Sequence, residues 1–277
     1  MAFFVIILGQ RGRIMKKLLT TIGLLICLCF IAKPAAAATD PGIPILMYHH
    51  FTTGNDTNAI TVSKNSFNEQ MNYLAQNGYK TLTFQELEAY LDGKLANNGK
   101  MVVITMDDGY RSNYDIAFPI LQYYGLKATQ FTIVSAIGGI DENMFKLGFY
   151  GGSHCSLTEM QKMQGVFEFQ SHTYDRHFLF NGKSILAQDF TADVREDLSD
   201  AKRILEDNGF KQYVFSYPYG ESSGSIKQVL KEQGVRMAVT CVPKRAKRGV
   251  DKMELPRLNV SGKMSLEDFK KLVQAPK

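Results

Sequence analysis

The chain has 277 residues, of which 45% are hydrophobic and 21% charged, so it is long enough to bury a sizeable core and too apolar for a disordered polypeptide. Its formal net charge is +5, but five of the 32 basic residues and none of the 27 acidic ones lie within residues 1–38. The rest of the chain therefore carries 27 charges of each sign. This balance removes the simplest argument for nucleic-acid binding.

The N-terminal segment has the pattern of a secretory leader. A Met-Lys-Lys sequence beginning at Met15 precedes the apolar stretch LLTTIGLLICLCFIA, and the small residues Ala36 and Ala38 fit an A-x-A cleavage signal. We therefore predict a signal peptide over residues 1–38, with Met15 as an alternative start, and one exported domain over residues 39–277. Cleavage is favoured over an uncleaved anchor, because the apolar stretch is shorter than the roughly 20 residues that span a bilayer.

Two other features of the exported part leave alternatives open. The basic cluster of Lys244, Arg245, Lys247 and Arg248 is typical of a solvated loop, with contact to an anionic cell-wall polymer as the alternative. Cys155 and Cys241 either pair in an oxidising compartment or stay free.

From residue 43 onward, strand-like and helix-like segments alternate. The predicted strands are, in chain order, IPILMYH, MVVITM, ATQFTIVSA, VFEFQSH, YVFSYPYG and VRMAVTC. The predicted helices are FNEQMNYLAQNGY, IAFPILQYYG, a short helix with a capping box at Ser156 and Glu159, a long helix around Val194 to Leu205, IKQVLKEQG and LEDFKKLV. Roughly seven strand-helix units without a second composition block predict a single α/β domain, closed or nearly closed as a parallel barrel. A doubly wound open sheet is the alternative.

Polar side chains gather where the predicted strands end. The residues at these strand exits are His49, His50, Asp107, Asp108, His172, His177 and Tyr219. Because the carboxyl ends of parallel strands meet at one edge of a sheet, we expect these side chains to lie near one another.

This combination of residues predicts a divalent-metal site. One carboxylate and two imidazoles leave open positions for water and substrate, as catalytic metal sites require. The five-residue step from His172 to His177 suits a loop that curls back on the ion better than it suits a helix face. Adjacent carboxylates repel unless they have separate partners. A turn at Gly109 would aim Asp107 and Asp108 into one pocket, where one holds the ion and the other takes a proton from the attacking water.

These motifs together resemble a known family. TMDDG resembles T-F-D-D-G, SHTYDRH resembles H-[ST]-x-x-H, and YPYG resembles the end of R-x-P-Y-G, which are motifs of the polysaccharide deacetylases with a NodB-homology domain, carbohydrate esterase family 4. The resemblance covers about residues 43–260. It implies a distorted (β/α)7-type barrel, one divalent metal that is most often zinc, and hydrolysis of N-acetyl groups from N-acetylglucosamine units of a polymer.

The resemblance also implies a role for each matching residue. Asp108, His172 and His177 correspond to the metal ligands, and Asp107 corresponds to the general base. The backbone N–H of Tyr219 corresponds to a donor that stabilises the oxyanion.

The sequence departs from the commonest family pattern in three places. His172 and His177 lie one residue further apart, as in the branch that deacetylates poly-β-1,6-N-acetylglucosamine in biofilms. The pair Ser216-Tyr217 stands where many members have the arginine that orients the base. Arg257 either replaces that arginine by pairing with Asp107 or forms a structural salt bridge elsewhere.

The third departure concerns the general acid. Because no histidine follows His177, the late acid of the family is absent. His49 is the preferred replacement, since the biofilm-type branch is similar in using an early Tyr-His pair, and His50 is the alternative. His154 is expected to be a loop residue.

The expected activity is therefore metal-dependent N-deacetylation by an exported monomer that acts on an acetylated glucosamine polysaccharide. The biofilm polymer, peptidoglycan and chitin-type polymers remain open as substrates. An esterase acting on O-acetyl xylan and a non-catalytic sugar-binding protein are the alternative functions. Four aromatic residues either pack or stack on sugar rings, namely Tyr110, Tyr114, Tyr174 and Phe178.

Overall fold

A computed structural model of the chain describes residues 40–55, 57–140, 152–188 and 191–275. The predicted signal peptide over residues 1–38 lies outside these ranges. Within them, no helix combines the length and apolar character that crossing a membrane requires.

A curled parallel sheet forms the centre of the fold. The strands, in chain order, are β1 (Ile45–Tyr48), β2 (His50–Thr52), β3 (Thr61–Ser63), β4 (Lys80–Thr81), β5 (Met101–Met106), β6 (Ala128–Thr132), β7 (Phe167–Ser171), β8 (Leu179–Phe180), β9 (Lys183–Ser184), β10 (Val214–Ser216), β11 (Met237–Val239) and β12 (Leu258–Asn259). The strand order in the main sheet is β11-β10-β7-β6-β5-β1-β12, with β4 also paired to β5. All six residues of β5 are buried, as expected for a parallel strand covered on both faces.

The first six helices lie between these strands along the chain, and the seventh follows β12. They are α1 (Lys64–Gln76), α2 (Phe84–Leu91), α3 (Phe118–Tyr124), α4 (Leu157–Met163), α5 (Thr191–Asp207), α6 (Gly224–Glu232) and α7 (Leu266–Val273). The predicted capping box at Ser156 and Glu159 is present at the start of α4. The strand order runs in one direction around the sheet, which confirms the predicted distorted (β/α)7-type barrel in a single domain and excludes the doubly wound sheet.

The segment 255–259 joins the two edges of the curled sheet. Leu255 bridges to β11, and its carbonyl accepts the backbone N–H of Thr240 at 2.8 Å. Three residues later, Leu258 pairs with Leu46 of β1. Arg257 lies between these two attachments, so closure of the barrel carries its side chain into the interior, where only 1% of the residue is exposed.

The structure also decides the two features that the sequence left open. Cys155 and Cys241 are both unpaired. In the basic cluster, Arg245 donates to carbonyl oxygens at the end of α7, and Arg248 donates to carbonyl oxygens of α2 and the segment after it. The cluster lies in an irregular segment in which Lys244, Lys247 and Arg248 are exposed and Arg245 is half-buried, so the structure agrees with a solvated loop whose arginines also donate hydrogen bonds.

Candidate metal centre

A tight turn after β5 presents two acids to one pocket. Asp107 and Asp108 are 2% and 3% exposed, and Asp108 and Gly109 have φ values of 69° and 88°. The left-handed region is uncommon for residues other than glycine, but aspartate tolerates it better than most. A Cβ added to Gly109 would lie 3.1 Å from a side-chain carbon of Thr132, so both conformation and space favour glycine there. The turn changes the direction of the chain between the two carboxylates.

Three potential ligands converge beside this turn. Oδ1 of Asp108 lies 3.6 Å from Nε2 of His172 and 3.5 Å from Nε2 of His177, and one donor atom from each residue lies within 4.8 Å of the others. Two ligand atoms about 2.1 Å from a tetrahedral metal ion lie about 3.4 Å apart, which is close to the observed spacing. The three residues thus fit a divalent metal ion, and they come from two distant segments as the sequence predicted.

A hydrogen bond from one ring nitrogen fixes the orientation of the His172 imidazole. Its Nδ1 donates to the carbonyl oxygen of Ser216 at 2.7 Å, so Nε2 carries the lone pair that faces Asp108. Burial lowers the pKa of His172 to about 3, with a further contribution from the neighbouring His177. The imidazole is therefore neutral near pH 7, which is the protonation state that binds metal.

Asp107 has a different partner from Asp108. Arg257 donates from Nη1 to Oδ1 and from Nη2 to Oδ2 of Asp107, each at 2.7 Å, and Ser216 Oγ donates to Oδ2 at 3.2 Å. Burial alone would raise the pKa of Asp107, but Arg257 outweighs this effect and holds that pKa well below its usual range. The sequence left open whether Arg257 pairs with Asp107 or forms a salt bridge elsewhere, and the structure shows the pair with Asp107.

Two further predicted residues lie near this cluster. His49 directly follows β1, and its Nδ1 is buried with no hydrogen-bond partner among the described residues. The ring of Tyr219 stacks on that of His177, with centroids 5.0 Å apart. His50 instead packs edge-on against Tyr110, and burial lowers its pKa.

Unusual backbone conformations concentrate at this site. Among the described residues, four that are not glycine have positive φ values, and three of these are Asp108, Thr173 and Tyr219. Such conformations persist only where the surroundings hold them, and they are common at functional sites.

His154 is buried, although the sequence around it has no pattern that predicts burial. It lies in a connecting segment, as expected, but is only 3% exposed and stacks on the ring of Tyr110 at 5.0 Å. Burial lowers the pKa of His154 to about 4. Tyr110 is itself buried between the rings of His50 and His154, so it packs and does not offer a face to a sugar. No local sequence pattern predicts this stack.

The fold and the site together define a parallel α/β barrel with a potential His-His-Asp metal centre at the carboxyl ends of its strands. The family model described as polysaccharide deacetylase matches residues 94–238. YxkH of Bacillus subtilis (strain 168) is 34% identical over 238 residues, which cover 85% of this chain and 77% of YxkH. The chain belongs to the polysaccharide deacetylase family.

Two more relatives bear on the branch of the family. The poly-beta-1,6-N-acetyl-D-glucosamine N-deacetylase of Staphylococcus aureus (strain MRSA252) is 31% identical over 216 residues, covering 77% of this chain and 72% of the relative. The structure of IcaB from Ammonifex degensii superposes with a TM-score of 0.73 at 28% identity, covering 84% of this chain and 97% of that one.

The pairing of Arg257 with Asp107 predicts a large effect on stability. Arg257→Met leaves a buried carboxylate without its partner, so we expect the free energy of unfolding to fall by about 3–5 kcal/mol in urea denaturation. Adding Asp107→Asn should recover part of this loss, because the amide is uncharged. Lys80→Met, which breaks an exposed pair with Glu86, should cost less than about 1 kcal/mol. A loss of the same small size for Arg257→Met would contradict this account of the pair.

Proposed function

We propose that this chain is a metal-dependent N-deacetylase that removes acetyl groups from N-acetylglucosamine units of a polysaccharide, with poly-β-1,6-N-acetylglucosamine as the preferred substrate. The observation that carries the proposal is that the two acids in the turn after β5 have different partners. Asp108 faces two imidazoles, and Asp107 is paired with Arg257. The similarity to the Staphylococcus aureus enzyme supports the choice of polymer.

The ligand set supports a role for a divalent ion, with zinc favoured. Asp108, His172 and His177 would hold it and leave at least one position open. A bound ion of this kind polarises a carbonyl group and lowers the pKa of a coordinated water.

The chain's own groups supply the proton transfers of amide hydrolysis. Asp107 accepts the proton of the attacking water, while Arg257 and Ser216 hold its carboxylate in one direction. The backbone N–H of Tyr219 donates to the developing oxyanion. His49 then gives a proton to the nitrogen as the C–N bond breaks, which leaves acetate and a free amine.

Arg257 has opposing effects on this chemistry. It keeps Asp107 ionised and oriented, but the low pKa that results makes the carboxylate a weak base. We infer that an ion held by Asp108, His172 and His177 would supply the acidification of water, so that a weak but fixed acceptor such as Asp107 would suffice.

We also propose that the chain is exported by its N-terminal leader and acts as a monomer at the cell envelope. The support is the leader pattern within residues 1–38 together with the extracellular nature of the polymer.

Acetate release from a panel of substrates tests the activity. We expect release from poly-β-1,6-N-acetylglucosamine to exceed release from peptidoglycan, chitin fragments and O-acetyl xylan. Treatment with a chelator should abolish it, and added zinc should restore it. Preference for O-acetyl xylan would favour the esterase, and no release from any substrate with metal present would favour a sugar-binding protein.

Two substitutions test the separate roles of the acids and the histidines. Asp107→Asn should reduce turnover by at least about 100-fold while one metal ion still binds, because the amide cannot accept the proton of water. His172→Ala should lose both metal and activity. Asp115→Asn, at an exposed acid shortly after the same turn, is the matched control and should behave as the parent. Parental turnover in Asp107→Asn would refute its role as the base.

A further inference from the structure

The loop that carries His172 and His177 is held on one side by the chain that follows β6. The backbone N–H groups of Val134 and Ser135 donate to the carbonyl oxygens of Thr173 and Tyr174 at 3.1 and 2.9 Å. These bonds attach the middle of the loop to a short 3-10 turn, but they satisfy only its carbonyl groups.

A buried carboxylate accepts backbone N–H groups of the same loop. Asp197, on α5, accepts the backbone N–H of Tyr174 on Oδ2 at 2.9 Å and that of Asp175 on Oδ1 at 2.7 Å. The residue is 6% exposed. One side chain thus takes up two successive N–H groups of the loop and fixes the orientation of two successive peptide planes.

The loop needs such support because its backbone is strained. Thr173, between His172 and Tyr174, has a φ of 84° and is fully buried. A left-handed conformation is unfavourable for a β-branched residue, and it persists only where neighbouring contacts impose it. The peptide planes that follow Thr173 are the ones that Asp197 holds.

Asp197 is also poorly suited to simple helix packing. The other residues that α5 buries against the core are apolar, namely Val194, Leu198, Ala201 and Leu205. Burial raises the pKa of Asp197 to about 6, which reflects a desolvation cost that an apolar residue would avoid. The carboxylate of Asp197 therefore accepts hydrogen bonds from the loop and does not contribute to the apolar packing of α5.

We propose that Asp197 is a positioning residue for the metal centre: its two accepted hydrogen bonds fix the turn between His172 and His177 and so aim both imidazoles before metal binds. The inference rests on the proposed function only in that the two histidines are metal ligands. It adds a partner outside the ligand set, on a helix that contributes no ligand.

Metal affinity tests this role. Asparagine has one acceptor oxygen and an NH₂ group that would face the second N–H donor, so Asp197→Asn should break one of the two bonds. We expect its zinc dissociation constant, measured by competition with a chromophoric chelator, to rise about 10- to 100-fold. The visible spectrum of the cobalt-loaded variant should also differ from that of the parent. Asp200→Asn, at a half-buried acid of the same helix that pairs with Arg203, should stay within about twofold of the parent in affinity.

A measurement on the unaltered chain keeps the test independent of whether the variant folds. In the metal-free parent, the amides of Tyr174 and Asp175 should exchange their hydrogens slowly, because Asp197 holds them without any ion. Fast exchange of these amides, or a zinc dissociation constant for Asp197→Asn within twofold of the parent, would overturn the proposal. Weakened zinc binding in Asp197→Asn, combined with no acetate release by the parent, would support this role and reject the proposed activity. A parent that binds no divalent metal would reject both.

Discussion

Two adjacent buried carboxylates can both stay ionised only if each has its own cation, either a charged side chain or a bound metal ion, and this constraint organises the whole site. Asp107 meets the guanidinium group of Arg257, whereas Asp108 faces the lone-pair nitrogens of two histidines. The left-handed conformation of Asp108 makes this separation sterically feasible. The strained backbone of this turn therefore allows the two carboxylates to have different partners.

Closure of the barrel supplies the partner of Asp107. Arg257 lies in the segment that joins the two edges of the sheet, 150 positions away from Asp107 along the chain. Ser216, at the end of β10, bonds Asp107 through its hydroxyl and orients His172 through its carbonyl oxygen. Its small side chain leaves room for the guanidinium group. Asp107, Arg257 and His172 are therefore connected through a single serine.

The sequence predicted the features that depend on local patterns. The alternation of strands and helices indicated the barrel, and the strand exits identified Asp108, His172 and His177 because parallel strands bring their ends together. The partner of Arg257 stayed open because it depends on how the sheet closes. The strands β4 and β12 were not predicted, since two residues carry no periodicity. Asp197 was missed, and the burial of His154 in its loop was not predicted, because neither residue belongs to a motif and both depend on tertiary contacts.

The most direct test of this account is the anomalous scattering of zinc in crystals of the metal-loaded protein. We expect one strong peak about 2.0–2.2 Å from Oδ1 of Asp108 and from Nε2 of both His172 and His177, with Asp107 still paired with Arg257. A peak that excludes either imidazole, or one in which Asp107 leaves Arg257 to bind the ion, would contradict it.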